Sequence, residues 1–414
     1  MASAAIVCKP PAILGFGSQR EGPLMTDADR REQSPRFGPL ADYRAPAMPT
    51  RDTLQILAAR ARELLRRKPD APLIDDARLR ASTLDMLDEA AAPPACGPLI
   101  DELQTTLKDW LDDDHPSQRM QCIVLPPGDD NHVLGMWAET YGHAVLDAPE
   151  REALPGAGPA ALPELAGDRV LVIPALESWF VRQRDGLWLV RALLDRLAEL
   201  DRRVVVGCNS WAWQYLVRAI RADAVLPAPL IFQPFDALRL HRWFSAISAS
   251  QAEPIQFLDA SSGDDILALD DDGRPHDRLF SLAARSHGIP WIAWRLWRRS
   301  LRRRIPDDEA DEAPEVADDD AHTLWVIALD EFSLPGRGND DALLVLHALL
   351  IHGPLMPHQL ADLLPFTGAG NTLNSLLAAG ILEHDAHGRL VCTPEAYPAI
   401  RTGLTTAGFP IAEV

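Results

Sequence analysis

Short apolar runs alternate with helical stretches between residues 120 and 233, and this alternation constrains the fold more than any other feature of the sequence. The runs are Cys122–Leu125, His143–Leu146, Val170–Ile173, Val204–Gly207 and Leu230–Phe232. Strands buried on both faces have near-continuous apolar sequences, and the helices between them form the crossovers of a parallel sheet. The pattern predicts an α/β domain with a parallel five-stranded sheet. Ligands of such sheets bind beyond the carboxyl ends of the strands.

The composition of the flanking segments divides the chain further. Residues 1–50 are rich in Pro and Gly without hydrophobic periodicity, which predicts a disordered leader. Residues 51–234 are predicted to form the α/β domain, introduced by N-terminal helices, and residues 235–305 a helical lid. Residues 306–322 carry nine carboxylates and no Lys or Arg, which predicts a solvated acidic linker.

The last part of the chain, residues 323–414, is predicted to be a separate winged-helix domain. Its elements are helices over Ala342–Ile351, Pro357–Leu364 and Asn371–Ala379, strands over Ile381–Glu383 and Arg389–Cys392, and a final helix that begins after Thr393 and Pro394. The order of three helices, a hairpin and a helix is that of a winged helix.

The first strand leads through a Pro-Gly turn into a helix, which is the layout of a nucleotide-binding loop. The residues are Leu125-Pro126-Pro127-Gly128-Asp129-Asp130-Asn131-His132-Val133-Leu134, with Trp137 on the helix. Residues 121–137 resemble the first βα unit of P-loop NTPases of the AAA+ type, in particular the origin-recognition-like branch that also carries a C-terminal winged helix. The resemblance covers residues 99–414. It implies an NTPase-like sheet with a helical lid and a nucleotide pocket at Gly128, Asn131, His132 and Asn209.

The residues that perform the chemistry in this family are absent at the matching positions. The family uses a second Gly, a Lys for the phosphates and a Ser or Thr for Mg²⁺; aligned on Gly128, these positions hold Asp130, Asn131 and His132. Pro174 follows the third strand where the family has its magnesium-orienting Asp, and Glu177 is the nearest carboxylate. The resemblance therefore implies a fold that has lost its phosphate contacts.

Two further landmarks of the family can be located in the sequence, and one of them is altered. The strand ending at Gly207 leads to Asn209 or Ser210, which match the polar sensor position. Residues 286–293 resemble the Gly-x-Pro-x-x-Ala turn of the lid, but Trp291 holds the place of an Arg that contacts the γ-phosphate. We therefore predict no catalytic residues and no cofactor, with ATP binding as a disfavoured alternative.

The charge of the chain bears on its partners. The 414 residues have a formal net charge of −20, which disfavours nucleic acid and anionic membranes. No apolar run reaches membrane-spanning length, and the N-terminus does not have the pattern of a secretory signal, so we expect a cytoplasmic protein. The five Cys are scattered without a Cys-x-x-Cys pair, and His384 and His387 have no third ligand nearby in sequence, so no metal site is predicted.

A basic aromatic segment is the exception to this acidity. Residues 291–304 are predicted to form a helix in which six Arg, including Arg295, Arg298 and Arg299, alternate with Trp291, Trp294 and Trp297. The helix either buries its Trp stripe and pairs its Arg with the acidic linker, or it binds a partner. The loop with Glu177, Trp179, Phe180 and Arg182 mixes apolar and charged residues and is a second candidate partner surface.

These features together predict a non-catalytic cytoplasmic adaptor or regulatory scaffold that acts through contacts with a partner protein. Residues 324–414 hold three Arg, no Lys and nine carboxylates, which argues against DNA binding by the winged helix. Two alternatives stay open. One is a nucleotide-sensing or weakly active ATPase that uses Asn131, His132 and Glu177, and the other is a DNA-binding regulator that uses the basic helix 291–304. The oligomeric state also stays open.

Overall fold

The structure is a computed structural model that describes residues 36–48, 79–81, 96–129, 132–250, 255–304, 323–329, 332, 334, 340–364, 369–412 and 414. From Arg36 to Val414 these residues belong to one folded unit. The predicted acidic linker over 306–322 lies outside the described residues, as does most of the region of predicted helices before Cys96.

The described residues form twelve strands: β1 Gly38–Pro39, β2 Leu79–Ala81, β3 Met120–Leu125, β4 Ala144–Val145, β5 Leu171–Ile173, β6 Val204–Asn209, β7 Leu230–Ile231, β8 Gln256–Asp259, β9 Leu301–Arg304, β10 Thr323–Val326, β11 Leu382–His384 and β12 Leu390–Cys392. The α-helices of the described residues are α1 Leu99–Asp112, α2 Val133–Thr140, α3 Trp188–Ala198, α4 Ser210–Ile220, α5 Ala237–Ser250, α6 Asp277–Arg285, α7 Pro290–Ser300, α8 Asp340–His352, α9 Pro357–Leu363, α10 Ala369–Ala378 and α11 Tyr397–Thr406. Among them, no helix is both long and apolar enough to cross a membrane.

The main sheet has the order β1-β7-β3-β6-β5-β4, and its five strands from β3 to β7 are parallel. The prediction of these five parallel strands is confirmed, with ends that differ by one or two residues. Every residue of β6 and residues 122–125 of β3 are buried, as their continuous apolar sequences require. The total of five strands was wrong, because β1 adds a sixth, antiparallel strand beside β7.

The sixth strand corrects the prediction of a disordered leader. Phe37 and Tyr43 are buried against Phe232 in edge-to-face ring contacts, and the Tyr43 hydroxyl donates a hydrogen bond to the His287 carbonyl at 2.7 Å. Residues 36–48 therefore pack on the core despite their Pro and Gly content. The rest of the predicted leader, residues 1–35 and 49–50, lies outside the described residues.

A second sheet adds strands to the segment that was predicted to be a helical lid. Its order is β2-β9-β10-β8, so it combines strands from three predicted segments. In this sheet β10 pairs in parallel with β8 and antiparallel with β9. Thr323–Val326 thus belongs to the second sheet, and the C-terminal part begins after it rather than at residue 323.

The predicted basic helix over 291–304 ends at Ser300, because Leu301–Arg304 pairs with β10 and β2. Its Trp stripe is buried. Trp294 stacks on Trp243 at 5.2 Å between ring centroids, and Trp297 stacks on Phe244 at 4.9 Å. This packing fixes α7 against α5 and places the Arg residues on the remaining face.

The C-terminal part contains α8, α9, α10, the β11–β12 hairpin and α11 in the predicted order. An antiparallel bridge between Leu355 and Leu390 attaches the turn after α8 to the hairpin. Residues on nearly every side of α8 are buried, which explains its continuous apolar sequence. The central helix of this part therefore packs on its own neighbours and on the main sheet domain.

Candidate functional site

The strand order places one edge of the main sheet at a topological switch point. The connection that leaves β3 runs to the far edge strand β4, whereas the connection that leaves β6 crosses to β7 on the opposite side of β3. The carboxyl ends of β3 and β6 therefore flank the crevice in which open α/β sheets bind ligands. The candidate residues after both strands meet there.

The loop after β3 uses its own carboxylate at the start of the following helix. Asp129 Oδ2 accepts a hydrogen bond from the backbone N–H of Val133 at 2.8 Å, and Val133 is the first residue of α2. His132, the residue before the helix, is exposed and has a left-handed backbone with φ of 47°. A helix N-terminus is where a nucleotide-binding loop holds phosphate. Here a fixed negative charge takes that N–H group.

Two side chains from other parts of the chain cover the turn at Gly128. The indole N–H of Trp291 donates a hydrogen bond to the Pro127 carbonyl at 3.1 Å. Gly128 has φ of 79°, and a Cβ built on it would lie 3.5 Å from Cγ of Pro394. Trp291 is thus a packing residue at the place where the family resemblance implies a phosphate-binding Arg.

Asn209 and Glu177 join β6 to the loop after β5. The backbone N–H of Asn209 donates to Glu177 Oε2 at 3.0 Å, and Asn209 Oδ1 accepts from Ala212 N at 2.8 Å and thereby caps α4. Asn209 Nδ2 donates to the carbonyl of Ile351 at 3.2 Å. Asn209 was predicted to contact a nucleotide, but both the oxygen and the nitrogen of its side-chain amide bond to protein groups. Asn131, its predicted partner in the pocket, lies outside the described residues.

The contact between Asn209 and Ile351 is one of several buried polar contacts between the main sheet domain and the C-terminal part. The Ser210 hydroxyl and the Tyr397 hydroxyl both donate to the Val414 carbonyl, at 3.1 and 2.7 Å. The Trp211 indole N–H donates to the Tyr397 hydroxyl at 3.0 Å. The C-terminal part is consequently docked on the carboxyl edge of the main sheet.

The loop predicted to bind a partner contacts the same chain instead. Trp179 and Phe180 are 1% and 0% exposed, and the Phe180 ring lies 5.1 Å from the ring of His352. The backbone N–H of Arg182 donates to His352 Nε2 at 3.4 Å, and Arg182 Nη1 lies 3.2 Å from Nδ1 of His347. The prediction of a free partner surface at Trp179 and Phe180 was therefore wrong, because α8 covers them.

Arg151 completes this interface, and the sequence analysis missed it. Its Nη2 donates to the His352 carbonyl at 2.8 Å. Burial lowers the pKa of Arg151 to about 10, and the charge of Glu177 opposes that change. Burial together with the charges of Arg151 and Arg182 lowers the pKa of His352 well below its ordinary value, so this imidazole is neutral. The only feature of the sequence that marks this interface is the His-Gly-Pro turn at the end of α8.

The three Arg predicted to bind a partner from the basic helix have different surroundings. Arg295 Nη1 lies 3.2 Å from Glu383 Oε1 and 3.6 Å from Glu395 Oε2, so it forms ion pairs with the C-terminal part. The guanidinium of Arg299 lies 4.5 Å above the ring of Phe332. Arg298 is partly buried. If this helix bound DNA, Arg295 would not be available to contact phosphate, because it is paired with these carboxylates.

A cavity of about 1400 Å³ remains between the loop after β3, the loop after β5 and the β11–β12 hairpin. The acidic side chains that line it outnumber the Arg side chains six to three, and no Lys is among them. Burial raises the pKa of Glu177, although the Asn209 N–H and Arg151 favour its charged form. Burial likewise raises the pKa of the Cys208 thiol, which makes it a poor nucleophile.

The residues at this site do not fit a magnesium–nucleotide complex. Polyphosphate requires cations and free N–H groups, whereas Asp129 occupies the helix N-terminus and Pro174 lines the cavity at the place where the family resemblance implies a metal-orienting carboxylate. Within the described residues, no group of three His, Cys, Asp or Glu side chains is arranged to hold a metal ion. We therefore derive no phosphoryl-transfer step from this site.

No family model matches the chain, and no curated protein sequence matches it. Solved structures similar to it include a single-residue variant of RuvB from Thermotoga maritima, with 15% identity over 78% of this chain and 97% of that chain and a TM-score of 0.31. Cdc6p from Pyrobaculum aerophilum has 12% identity over 82% and 100%, with a TM-score of 0.28. ORC2 from Aeropyrum pernix, in ADPNP–ADP complexes, has 11% identity over 81% and 97%, also with a TM-score of 0.28. Similarity at these scores carries no argument about function.

Proposed function

We propose that this protein is a non-catalytic adaptor or regulatory scaffold built on a degenerate P-loop NTPase fold of the AAA+ type with a C-terminal winged helix. The observation that carries the proposal is the hydrogen bond from Val133 N–H to Asp129, which puts a carboxylate where the fold would bind phosphate. The resemblance of the motifs supports the assignment of the fold family, and the contacts at the site support the proposed loss of catalytic activity.

The electrostatics of the site oppose nucleotide binding. A phosphate oxygen at about 4 Å from the Asp129 carboxylate would be repelled by about 4 kcal/mol at an effective dielectric constant near 20. Glu177 faces the same cavity, and Arg295 of α7, which also lines it, is already paired with Glu383. No Lys lines the cavity to offset this repulsion. We therefore propose that the protein has no nucleotide cofactor.

A fold of this kind can lose its chemistry and keep its stability. The strands of the main sheet are buried and paired whether or not a ligand is present, and activity depends on a few grafted side chains. The docked C-terminal part would then always cover the carboxyl edge of the main sheet, where a ligand of this fold would bind. We propose that the protein acts in the cytoplasm by binding a partner protein through surfaces outside this edge.

The nucleotide-sensing alternative rests on the cavity that remains beside Gly128 and Asn209. Thermal unfolding with and without Mg²⁺ and ATP separates it from the adaptor proposal. A ligand present at about a hundred times its Kd stabilises a protein by about 2.7 kcal/mol, which raises the Tm by several degrees. We expect no shift and no ATP hydrolysis. A magnesium-dependent shift of several degrees would replace the adaptor with a nucleotide sensor.

A further inference from the structure

An exposed cationic and aromatic surface lies beside the interface with α8, and the proposed function does not yet use it. This surface, here called the Trp188 patch, consists of the exposed residues Arg184, Trp188 and Arg191 and the half-buried residues Arg182 and Tyr215. Trp188 is 54% exposed, more than any other exposed large apolar side chain of the described residues. Trp, Tyr and Arg are the residues most enriched in the energetic centres of protein interfaces.

The structure connects four members of the Trp188 patch, and the fifth, Arg184, lies in the loop that leads to α3. Trp188 and Arg191 are three residues apart on α3, so they lie on one helix face. Burial raises the pKa of Tyr215, and the nearby charges of Arg182 and Arg191 oppose this rise. The Phe180 ring stacks on Tyr215 at 5.5 Å between centroids and holds the phenol in place.

The loop that presents the patch is tightly folded. The backbone N–H of Val181 donates to the Gly186 carbonyl at 3.1 Å, and Gly186 N–H donates to the Gln183 carbonyl at 3.2 Å. A Cβ at Gly186 would lie 2.2 Å from the Val181 carbonyl oxygen, so the loop requires glycine there. Trp188 Nε1 is 3.5 Å from Oδ1 of Asp185. A surface that is ordered before binding loses less conformational entropy when a partner binds.

The charge of the patch is opposite to that of the chain. Neither Arg184 nor Arg191 forms an ion pair with a residue that the structure describes, and both are exposed. The protein as a whole carries a formal charge of −20. A long polyanion such as DNA would therefore be repelled by most of the molecule, whereas a short acidic segment meets a local surface on which three Arg outnumber the one carboxylate, Asp185.

We propose that the Trp188 patch binds an acidic peptide segment of a partner protein, with carboxylates on Arg184 and Arg191 and an apolar side chain on Trp188. This deepens the proposed function and rests on it, because an adaptor must have a protein-binding surface. Because Arg182 of the patch lies 3.2 Å from His347, the bound segment would lie next to the docked C-terminal part.

Fluorescence anisotropy of the full chain with a short labelled peptide of Glu, Asp and Phe tests the proposal. We expect saturable binding that weakens as salt is added. Trp188→Ala, and separately the double variant Arg184→Ala with Arg191→Ala, should each weaken binding by about tenfold or more. Arg274→Ala, which removes an exposed guanidinium in another part of the chain, should leave binding unchanged. All substituted side chains are exposed, and unchanged thermal unfolding confirms that the variants fold.

Three outcomes would overturn the proposal: no binding of the acidic peptide, equal binding of a matched peptide with Gln and Asn in place of Glu and Asp, or binding that the patch variants do not change. Tighter binding of a DNA duplex through the same Arg residues would overturn it in favour of a nucleic-acid surface. An ATP-binding measurement on the same preparation separates this result from failure of the proposed function, because the patch variants do not alter the loop after β3.

Discussion

At the scale of single residues, Asp129 combines a structural and an electrostatic role. Its carboxylate accepts the Val133 N–H at the start of α2, and a negative charge at a helix N-terminus is favourable. The same charge repels any phosphate that approaches the loop. The carboxylate of Asp129 would weaken phosphate binding in a nucleotide-binding loop. In this protein it stabilises the N-terminus of α2.

Replacement of Asp129 should therefore destabilise the protein. We expect Asp129→Ala to lower the free energy of unfolding by about 1 kcal/mol, because the helix loses its capping carboxylate. Urea unfolding measures the change. Asp147→Ala is the matched control, since Asp147 is an exposed carboxylate that faces the same cavity, and it should change stability by less than about 0.5 kcal/mol. Equal effects of both variants would contradict the capping role.

Tyr397 is the second residue with a specific energetic role, which it has through its hydroxyl group. It accepts from the Trp211 indole and donates to the Val414 carbonyl, and all three groups are buried. We expect Tyr397→Phe to cost about 1–3 kcal/mol, because the buried Trp211 indole N–H loses its acceptor and the Val414 carbonyl keeps only the Ser210 hydroxyl as a donor. Tyr141→Phe removes a hydroxyl from a Tyr that is 37% exposed, and should cost less than about 0.5 kcal/mol in the same unfolding experiment. A difference near zero between the two variants would show that the contact contributes nothing to docking.

At the scale of elements, the close packing of β6 against α2 depends on a glycine. A Cβ at Gly207 would lie 2.2 Å from Leu134 Cδ1 and 2.3 Å from the Pro174 carbonyl oxygen, which is part of the backbone. Helix α2, which follows the loop after β3, therefore approaches the sheet as closely as the backbone permits. This closeness also fixes the positions of Asp129 and Pro174 relative to each other.

Gly207→Ala should be strongly destabilising. We expect a loss of about 3 kcal/mol or more, because the new methyl group meets backbone that cannot move without disrupting the sheet. Gly158→Ala is the control, since nothing lies within 4 Å of its added Cβ and its backbone is extended. Thermal unfolding of both variants gives the comparison. A Gly207→Ala protein as stable as the control would contradict the packing described for α2.

Helix α8 should make the docked arrangement sensitive to acid. Burial and the charge of Arg182 lower the pKa of His347 from its ordinary 6.5 to about 4. Between these values the unfolded chain binds more protons than the folded one, so stability should fall as the pH falls from 6.5 towards 4. Glu177, whose pKa is raised, acts in the opposite direction.

The contribution of His347 is isolated by comparing His347→Gln with the wild type. We expect a shallower loss of unfolding free energy between pH 7 and pH 5 in the variant, because it has no imidazole to protonate at this position. Urea unfolding at several pH values measures the slopes. Identical slopes would show that His347 remains unaffected by its burial against Arg182.

The sequence predicts elements well where a local pattern defines them. The five parallel strands follow from apolar runs such as the one ending in Leu125, and Gly380 marks the end of α10 within two residues. Short strands without an apolar run escape this approach. Gly38–Pro39 and Leu301–Arg304 are polar or Gly-Pro sequences, and they become strands only because partners distant in the sequence, Leu230 and Trp325, are available to pair with them.

At the scale of the whole molecule, the docking of the C-terminal part is the feature that sequence could not predict. The hydrogen bond between Asn209 and Ile351 joins residues 142 positions apart, and no periodicity specifies such a contact. The strand, turn and helix around Gly128 could be predicted because they are consecutive in the sequence. The closure of this turn by Pro394, Trp291 and Arg295 depends on tertiary packing and appears only in the structure.

Equilibrium dialysis of the full chain against labelled ATP with Mg²⁺ tests the central claim most directly, namely that the carboxyl edge of the main sheet no longer holds a nucleotide. We predict that the protein compartment retains no ATP at millimolar nucleotide, because Asp129 takes the N–H group at the start of α2 and Pro394 lies over the turn at Gly128. Saturable retention of ATP that is lost in an Asn209→Ala variant of unchanged fold would contradict the account.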